Sequence, residues 1–241
     1  MNVLPVALAG STGRMGSRVL RALEADAAFA VVATPGRGSL ETDWNGARVV
    51  ADFTAPAGTA TLAGLAASRG VALLVGTTGL DAGAHAALDA AAQKVAVLVA
   101  PNLSPGVAAL ARALRAVVPA LPGYDVEIVE RHHRAKVDAP SGTALALAEV
   151  IAAARGAKPA GVRAGRSGAV GPRTAEEIGI HAVRGGSWVG EHRVLLAGPH
   201  ETLEFTHVAQ DRDAFTVGAL VALRFLAGAP PGRYSLEDAL V

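Results

Sequence analysis

Val3-Leu4-Pro5-Val6-Ala7-Leu8-Ala9-Gly10-Ser11-Thr12-Gly13-Arg14-Met15-Gly16 is the stretch whose reading decides the fold. The apolar run 3–9 has the length of a strand buried on both faces and stops at Gly10; Pro5 is tolerated only near the start of such a strand. From Gly13 onward the period changes, and Met15, Val19, Leu20 and Leu23 fall on one helical face with arginines opposite. Between strand and helix the glycines are spaced G-x-x-G-x-x-G. They let the backbone turn tightly and come close to a pyrophosphate, while the helix start offers N–H groups and a partial positive charge. The commoner dinucleotide spacing is G-x-G-x-x-G, so the glycines alone leave an ordinary tight turn open as the alternative; the strand–turn–helix context favours a nucleotide.

Working outward, Phe29–Ala33, 48–53, 71–75 and 95–99 repeat the short apolar strand pattern. Between them lie Ala-rich helical stretches at 57–69 and 82–93, the second opened by Asp81 as N-cap. Strand and helix alternating at this spacing predict a doubly wound parallel sheet of the Rossmann type. The character changes near Pro101. A helix at 106–118, a strand at 124–130 and a helix at 142–154 starting after Ser141 lead into a Gly/Arg-rich surface loop, 156–174. Three strand-like runs follow at 177–183, 190–197 and 202–209, separated by turn residues, as in a mixed or antiparallel sheet. Helical periodicity returns at 213–227. The fold class read from this is α/β: a doubly wound parallel sheet with a second, α+β domain of mixed sheet. The expected division is a dinucleotide-binding domain at 1–103, with 214–241 packing back on it, and a substrate domain at 104–213.

The 241 residues suffice for two small domains with real cores, and with 51% hydrophobic but only 4% aromatic residues those cores must be built from Ala, Val and Leu. Lys+Arg 22 against Asp+Glu 21 leaves a formal charge of +1, which argues against a nucleic-acid protein. The chain has no cysteine, which excludes disulfides and cysteine-ligated metals. No segment approaches the ~18 uninterrupted apolar residues of a membrane span, and Asn2 after Met1 is no basic leader. A cytoplasmic protein that contacts neither membrane nor nucleic acid is the expectation.

Two later turns end candidate strands on the side where such sheets bind ligands, Gly76-Thr77-Thr78-Gly79 and Ala100-Pro101-Asn102-Leu103, though either reads equally as an ordinary loop. The second strand ends in Ala33-Thr34-Pro35-Gly36-Arg37, without the carboxylate that usually holds the ribose hydroxyls of NAD. Nothing there repels a 2′-phosphate and Arg37 is of the type to pair with one, so NADPH is expected to serve at least as well as NADH.

The densest chemistry lies in Glu130-Arg131-His132-His133-Arg134-Ala135-Lys136-Val137-Asp138-Ala139-Pro140-Ser141-Gly142-Thr143. Adjacent histidines on extended backbone point to opposite sides, so one faces a reacting atom and the other contacts substrate or orients its neighbour. Histidine titrates near neutrality and is the usual proton shuttle; Lys136 can neutralise a carboxylate or donate a proton. Ser141-Gly142-Thr143 starts a helix, where a hydroxyl and backbone N–H groups suit a carboxylate. Taken alone, the run favours a solvated basic face over a site, and Arg131 and Arg134 are expected to be only solvated. No third and fourth ligand stands at metal-binding spacing, so no metal is expected.

With these residues in order, the chain resembles the 4-hydroxy-tetrahydrodipicolinate reductase (dihydrodipicolinate reductase) family of lysine and diaminopimelate synthesis. The resemblance rests on Gly10–Gly16, Asp52-Phe53-Thr54, Gly76-Thr77-Thr78-Gly79, Asn102-Leu103-Ser104, the Glu130–Thr143 run and Val189-Gly190-Glu191-His192. It implies NADPH- or NADH-dependent reduction of 4-hydroxy-tetrahydrodipicolinate to tetrahydrodipicolinate, with loss of water, by a cytoplasmic homotetramer joined through the second sheet. Carried over by position, Gly10, Ser11, Thr12, Gly13, Arg14 and Met15 would cradle the pyrophosphate, and Thr34 and Arg37 would lie by the adenosine ribose. Gly76, Thr77, Thr78, Ala100, Pro101, Asn102 and Leu103 would line the nicotinamide. His132 would be proton donor/acceptor and Lys136 proton donor, His133 a substrate contact, and Ser141, Gly142 and Thr143 the grip on a substrate carboxylate. The chain departs from the family pattern at Thr34, where an acidic residue is common, and at Leu103, where an aromatic is frequent. Only residues 41–51 separate Leu40 from Asp52, where relatives have room for a further strand and helix, so a trimmed nucleotide domain is expected.

Overall fold

The computed structural model describes residues 3–36, 38–156 and 161–240. Backbone contacts divide the chain into two units: Met1–Pro105 together with Asp213–Val241, and Gly106–Arg212.

In the first unit, β1 (Leu4–Ala9), β2 (Phe29–Ala33), β3 (Val49–Asp52), β4 (Ala72–Val75), β5 (Ala96–Val99) and β11 (Gly232–Tyr234) form a six-stranded sheet in the order β11-β5-β4-β3-β1-β2. Every strand pair is parallel. Strands of Val, Leu and Ala suit this sheet because helices cover its faces and both sides of each inner strand are buried; Val49–Asp52 is buried at all four positions. The connecting helices are α1 (Gly16–Ala25), α2 (Pro56–Arg69) and α3 (Ala82–Ala92), with α6 (Asp213–Leu226) returning from the far end of the chain. The core on one side joins Ala7, Val50, Leu62, Leu73, Leu88 and Val97. Chain order reverses on either side of β1, and the crevice beyond the carboxyl ends of strands at such a switch point is where open α/β sheets take ligands. The turns at Gly10, Phe53, Gly76 and Ala100 all follow strands at that end. Between β2 and β3 the described residues hold no strand or helix. They turn around Trp44, which is buried, donates to the Leu40 carbonyl at 3.2 Å and lies under the Arg69 guanidinium at 4.4 Å. Strand β2 is therefore the edge of the sheet.

The second unit contains α4 from its second residue (the helix spans Pro105–Val117), β6 (Asp125–His132), α5 (Gly142–Ala154), β7 (Val162–Ala164), β8 (Ile178–Arg184), β9 (Gly190–Ala197) and β10 (Thr202–Ala209). Its sheet is mixed, in the order β10-β9-β6-β8-β7: β6 runs parallel to β8 and antiparallel to β9. Alternation along β6 is strict, with Val126, Ile128, Glu130 and His132 buried on one face. Val126 and Ile128 join Leu114, Leu147, Ile151, Ile180, Val194 and Leu196 in the core. Glu130 and His132 continue that stripe as polar groups, and the site grows from this end of it.

Three sequence expectations are corrected. Strand β6 runs to His132 rather than stopping at 130, because pairing with β8 and β9 carries it on. The segment 156–174 holds the short strand β7. The parallel sheet gains a sixth strand, β11, from a tail in which no strand was expected.

Candidate active site

The nucleotide cradle lies wholly in the first unit. Gly10 has φ +80°, and a Cβ there would fall on the Phe53 carbonyl. A Cβ at Gly16 would fall on the Gly10 carbonyl, so glycine at both positions lets α1 seat directly on the turn. Gly13 N–H donates to the Gly10 carbonyl at 3.0 Å and closes the loop. The N-cap of α1 is Met15, with no side-chain cap and no acidic residue in the first turn. The positive end of this helix is thus neither capped nor neutralised, the condition for an anion to bind there. Thr12, Gly13 and Arg14 are exposed around it, with Ser11 and Met15 half-buried.

Behind the cradle, Asp52 is fully buried and accepts from Thr54 N–H at 2.8 Å, from Thr54 Oγ1 at 2.6 Å and from Thr59 Oγ1. It fixes the turn after β3. A Cβ at Gly76 would enter the Phe53 ring, so the turn after β4 also packs against this residue. Of the positions expected to line the nicotinamide, Thr78 and Pro101 are exposed and Gly76 and Asn102 half-buried. Thr77, Ala100 and Leu103 are buried and can offer only backbone. The Leu103 carbonyl lies against Gly218 of α6, where a Cβ would collide with it. Asn102 Oδ1 accepts from Ser104 N–H at 2.8 Å and shapes the turn. Thr34 is exposed at the end of β2; Arg37 lies outside the described residues. An uncapped helix start, a glycine turn and a row of backbone-lined strand ends fit a dinucleotide.

The proton and anion groups lie in the second unit. His132, 8% exposed, brings Nδ1 to 2.6 Å from Glu130 Oε2. Glu130 is fully buried, and its carboxylate also receives Arg184 Nη1 and Nη2 at 2.7 Å each and Ser141 N–H at 3.0 Å. Burial alone would raise the Glu130 pKa, but the hydrogen bonds from Arg184, His132 and Ser141 outweigh it and hold the carboxyl below its ordinary value. Burial pushes the His132 pKa down; Glu130 opposes this incompletely, and the positive charges of Lys136 and Arg184 add to the lowering. His132 is therefore a neutral imidazole at neutral pH.

His192, from β9, meets the His132 ring edge-on at 5.3 Å and stacks on His207 at 6.2 Å. Its Nε2 is 3.1 Å from Ser141 Oγ, and its Nδ1 is buried without a partner. Burial, followed by the nearby charges of His132 and His207, pushes its pKa down to about 3. Lys136 Nζ lies 2.8 Å from both oxygens of Asp138, and His133 is half-buried.

Two expectations change here. The Ser141 hydroxyl, expected in the grip on substrate, accepts from Ala144 N–H at 3.2 Å as the N-cap of α5 and lies 3.1 Å from His192 Nε2, so it builds the turn. Gly142 is exposed at the first position of that helix and Thr143 half-buried beside it. Arg131 is not merely solvated, since it pairs with Glu191 and lies over the Trp188 ring at 5.2 Å. Sequence reasoning missed Glu130, Arg184 and His192. Alternation was the available signal for the two strand-face residues beside valine and isoleucine: Glu130 and His132 share parity with Ile128, as His192 does with Val194.

Comparison with known proteins agrees along the whole chain. Residues 4–103 match the family model described as dihydrodipicolinate reductase, N-terminus, and residues 106–240 match dihydrodipicolinate reductase, C-terminus. The 4-hydroxy-tetrahydrodipicolinate reductase of Nitrosomonas eutropha is 42% identical over 266 aligned residues, covering 100% of this chain and 99% of that protein. Its counterpart from Rubrobacter xylanophilus is 42% identical over 261 residues, covering 99% and 98%. The solved structure of dipicolinate-bound dihydrodipicolinate reductase from Paenisporosarcina sp. TG-14 superimposes with TM-score 0.81 at 24% identity, over 99% of this chain and 100% of that one, and shows a shared fold.

Proposed function

The chain belongs to the dihydrodipicolinate reductase family and is an oxidoreductase, and from that premise we propose how its residues reduce 4-hydroxy-tetrahydrodipicolinate to tetrahydrodipicolinate in diaminopimelate and lysine synthesis. The observation that carries the reading is His132 held by Glu130 beside the start of α5: a proton-transfer group joined to an anion-binding helix end. When bound, NADPH or NADH supplies a hydride. The rest falls to the chain. His132 exchanges a proton at Nε2. Lys136 gives a proton and balances one substrate carboxylate. Its pair with Asp138 is solvated on the acidic side, 55% exposed, so exchanging that partner for a substrate carboxylate costs little. Gly142 and Thr143 receive a carboxylate at the helix start, His133 contacts the ring, and Ser141 holds the turn. Loss of water and addition of one hydride and one proton complete the balance.

The support for NADPH is that Thr34, not a carboxylate, ends β2, and that exposed Arg14 adds positive charge to the cradle. Catalytic efficiency with NADPH should equal or exceed that with NADH; a strong NADH preference rejects this. The reading includes a cytoplasmic homotetramer whose contact is the outer face of the second sheet. Val183 and Val208 are exposed there, paired in register with Arg131 and Glu191 respectively. A monomer in sedimentation at micromolar concentration contradicts it.

The test of the reaction is oxidation of NADPH or NADH followed with substrate made in situ by the preceding synthase. Oxidation that depends on the synthase product is expected, and none with either cofactor rejects the function. His132→Ala or Lys136→Ala should lower turnover by roughly two to four orders of magnitude with cofactor binding retained.

A further inference from the structure

Fully buried Glu130 and half-buried Arg184 form an ion pair that no step above uses, and we infer that they are positioning residues: together they fix the tautomer of His132 and tie the proton site to the anion site. The inference rests on the reductase reading for its meaning, although its geometry stands by itself. A carboxylate has about four acceptor positions. Glu130 Oε1 receives Arg184 Nη2 and the Ser141 N–H, and Oε2 receives Arg184 Nη1 and lies 2.6 Å from His132 Nδ1. Three of these positions are filled by unambiguous donors, two of them from a guanidinium, which keeps the group an ionised carboxylate that can only accept at the fourth. His132 Nδ1 must then carry hydrogen, which leaves Nε2 as the ring nitrogen that gains and loses the catalytic proton.

Arg184 reaches further, donating from Nη2 to the Asp138 carbonyl at 2.7 Å, in the segment that carries Lys136. One ion pair thus touches the proton-transfer ring, the start of α5 and the lysine segment. Burying a carboxylate returns little stability for the desolvation it requires, even with a charged partner, so fully buried Glu130 at the polar end of a hydrophobic stripe points to positioning rather than to packing. The groups facing His132 are Glu130 and Lys136 from its own segment, Arg184 from β8 and the neutral His192 from β9.

The experiment joins kinetics to imidazole 15N NMR on the full-length protein. In the unmodified protein His132 is expected as the Nδ1–H tautomer, measured without substrate or cofactor. Glu130→Gln places a neutral amide against Nδ1 and should shift His132 toward Nε2–H. It should also lower kcat about 100-fold or more, as loss of an orienting carboxylate does elsewhere, while NADPH affinity in the first unit stays within about threefold. The double variant Glu130→Gln/Arg184→Gln buries no unpaired charge. It should regain thermal stability lost in the single variant and keep the low kcat. The proposal is overturned if turnover returns together with stability, or if His132 of the unmodified protein is the Nε2–H tautomer. Absence of NADPH oxidation by the unmodified protein would instead reject the reductase reading, and the tautomer measurement distinguishes the two failures.

Discussion

The hydrogen that stands for a side chain at Gly190 leaves room beside His132: a Cβ there would lie 3.0 Å from Nε2. This is tighter than ordinary packing and falls on the nitrogen assigned to proton exchange. Gly190→Ala should therefore lower kcat about tenfold or more, with NADPH affinity unchanged, because a few tenths of an ångström at a reacting atom is costly. Steady-state kinetics beside a fluorescence titration decides it; an unchanged kcat means that Nε2 does not exchange the proton. At this scale the sequence was partly legible. His132, His133 and Lys136 are visible because charge and imidazole concentrate in one short run. Glu130 and His192 are visible only once alternation places them on the faces of Ile128 and Val194. Arg184, 54 residues from Glu130, is brought in by the parallel pairing of β6 with β8, which no local pattern announces.

The two helix starts proposed to hold anions differ in how they are capped. α5 is capped by Ser141, whose hydroxyl takes the Ala144 N–H, whereas α1 has no side-chain cap at Met15. The side-chain cap holds the start of α5 without a ligand; at α1 the Ser17 and Arg18 N–H groups go to the Gly13 and Met15 carbonyls, and no side chain covers the helix end. Ser141→Ala should cost about 1 kcal/mol of stability from the lost cap, with more from the stranded His192 Nε2. The readout is the urea midpoint; no change would mean that the cap is dispensable. Gly16→Ala should act otherwise: its Cβ meets the Gly10 carbonyl, so α1 must move off the turn. NADPH affinity should fall at least tenfold, and an affinity within twofold of the parent rejects the cradle. Helix starts at Asp81 and Ser141 were readable because caps are local chemistry. The three-residue strands β7 and β11 were not, since each is too short to show a period and exists through pairing with β8 or β5.

At the scale of the whole molecule, titratable chemistry is distributed unequally. All seven histidines except His85, which is exposed on α3, lie between residues 132 and 207, inside the second unit. Burial lowers the pKa of His132, His192 and His207, that of His192 to about 3. A histidine whose folded pKa is depressed binds its proton more readily when unfolded. Its contribution to stability is therefore intact above the unfolded value near 6.5 and is lost as pH falls below it. The loss continues toward the folded pKa, at about 1.4 kcal/mol per pH unit for each histidine still neutral in the fold. Glu127, Glu130, Asp138 and Glu177, whose carboxyls are held low in the same unit, add their own loss as pH falls below the ordinary carboxylate range. The two units should thus part company in mild acid. Hydrogen exchange, corrected for its intrinsic pH dependence, should show protection of β6 and β9 falling from pH 6.5 to 5 while that of β3 and β4 holds. His192→Asn should flatten the slope in the second unit, since its burial gives the widest window. Equal losses in both units, or an unchanged slope in the variant, would mean that the buried histidines do not set the acid stability of this fold.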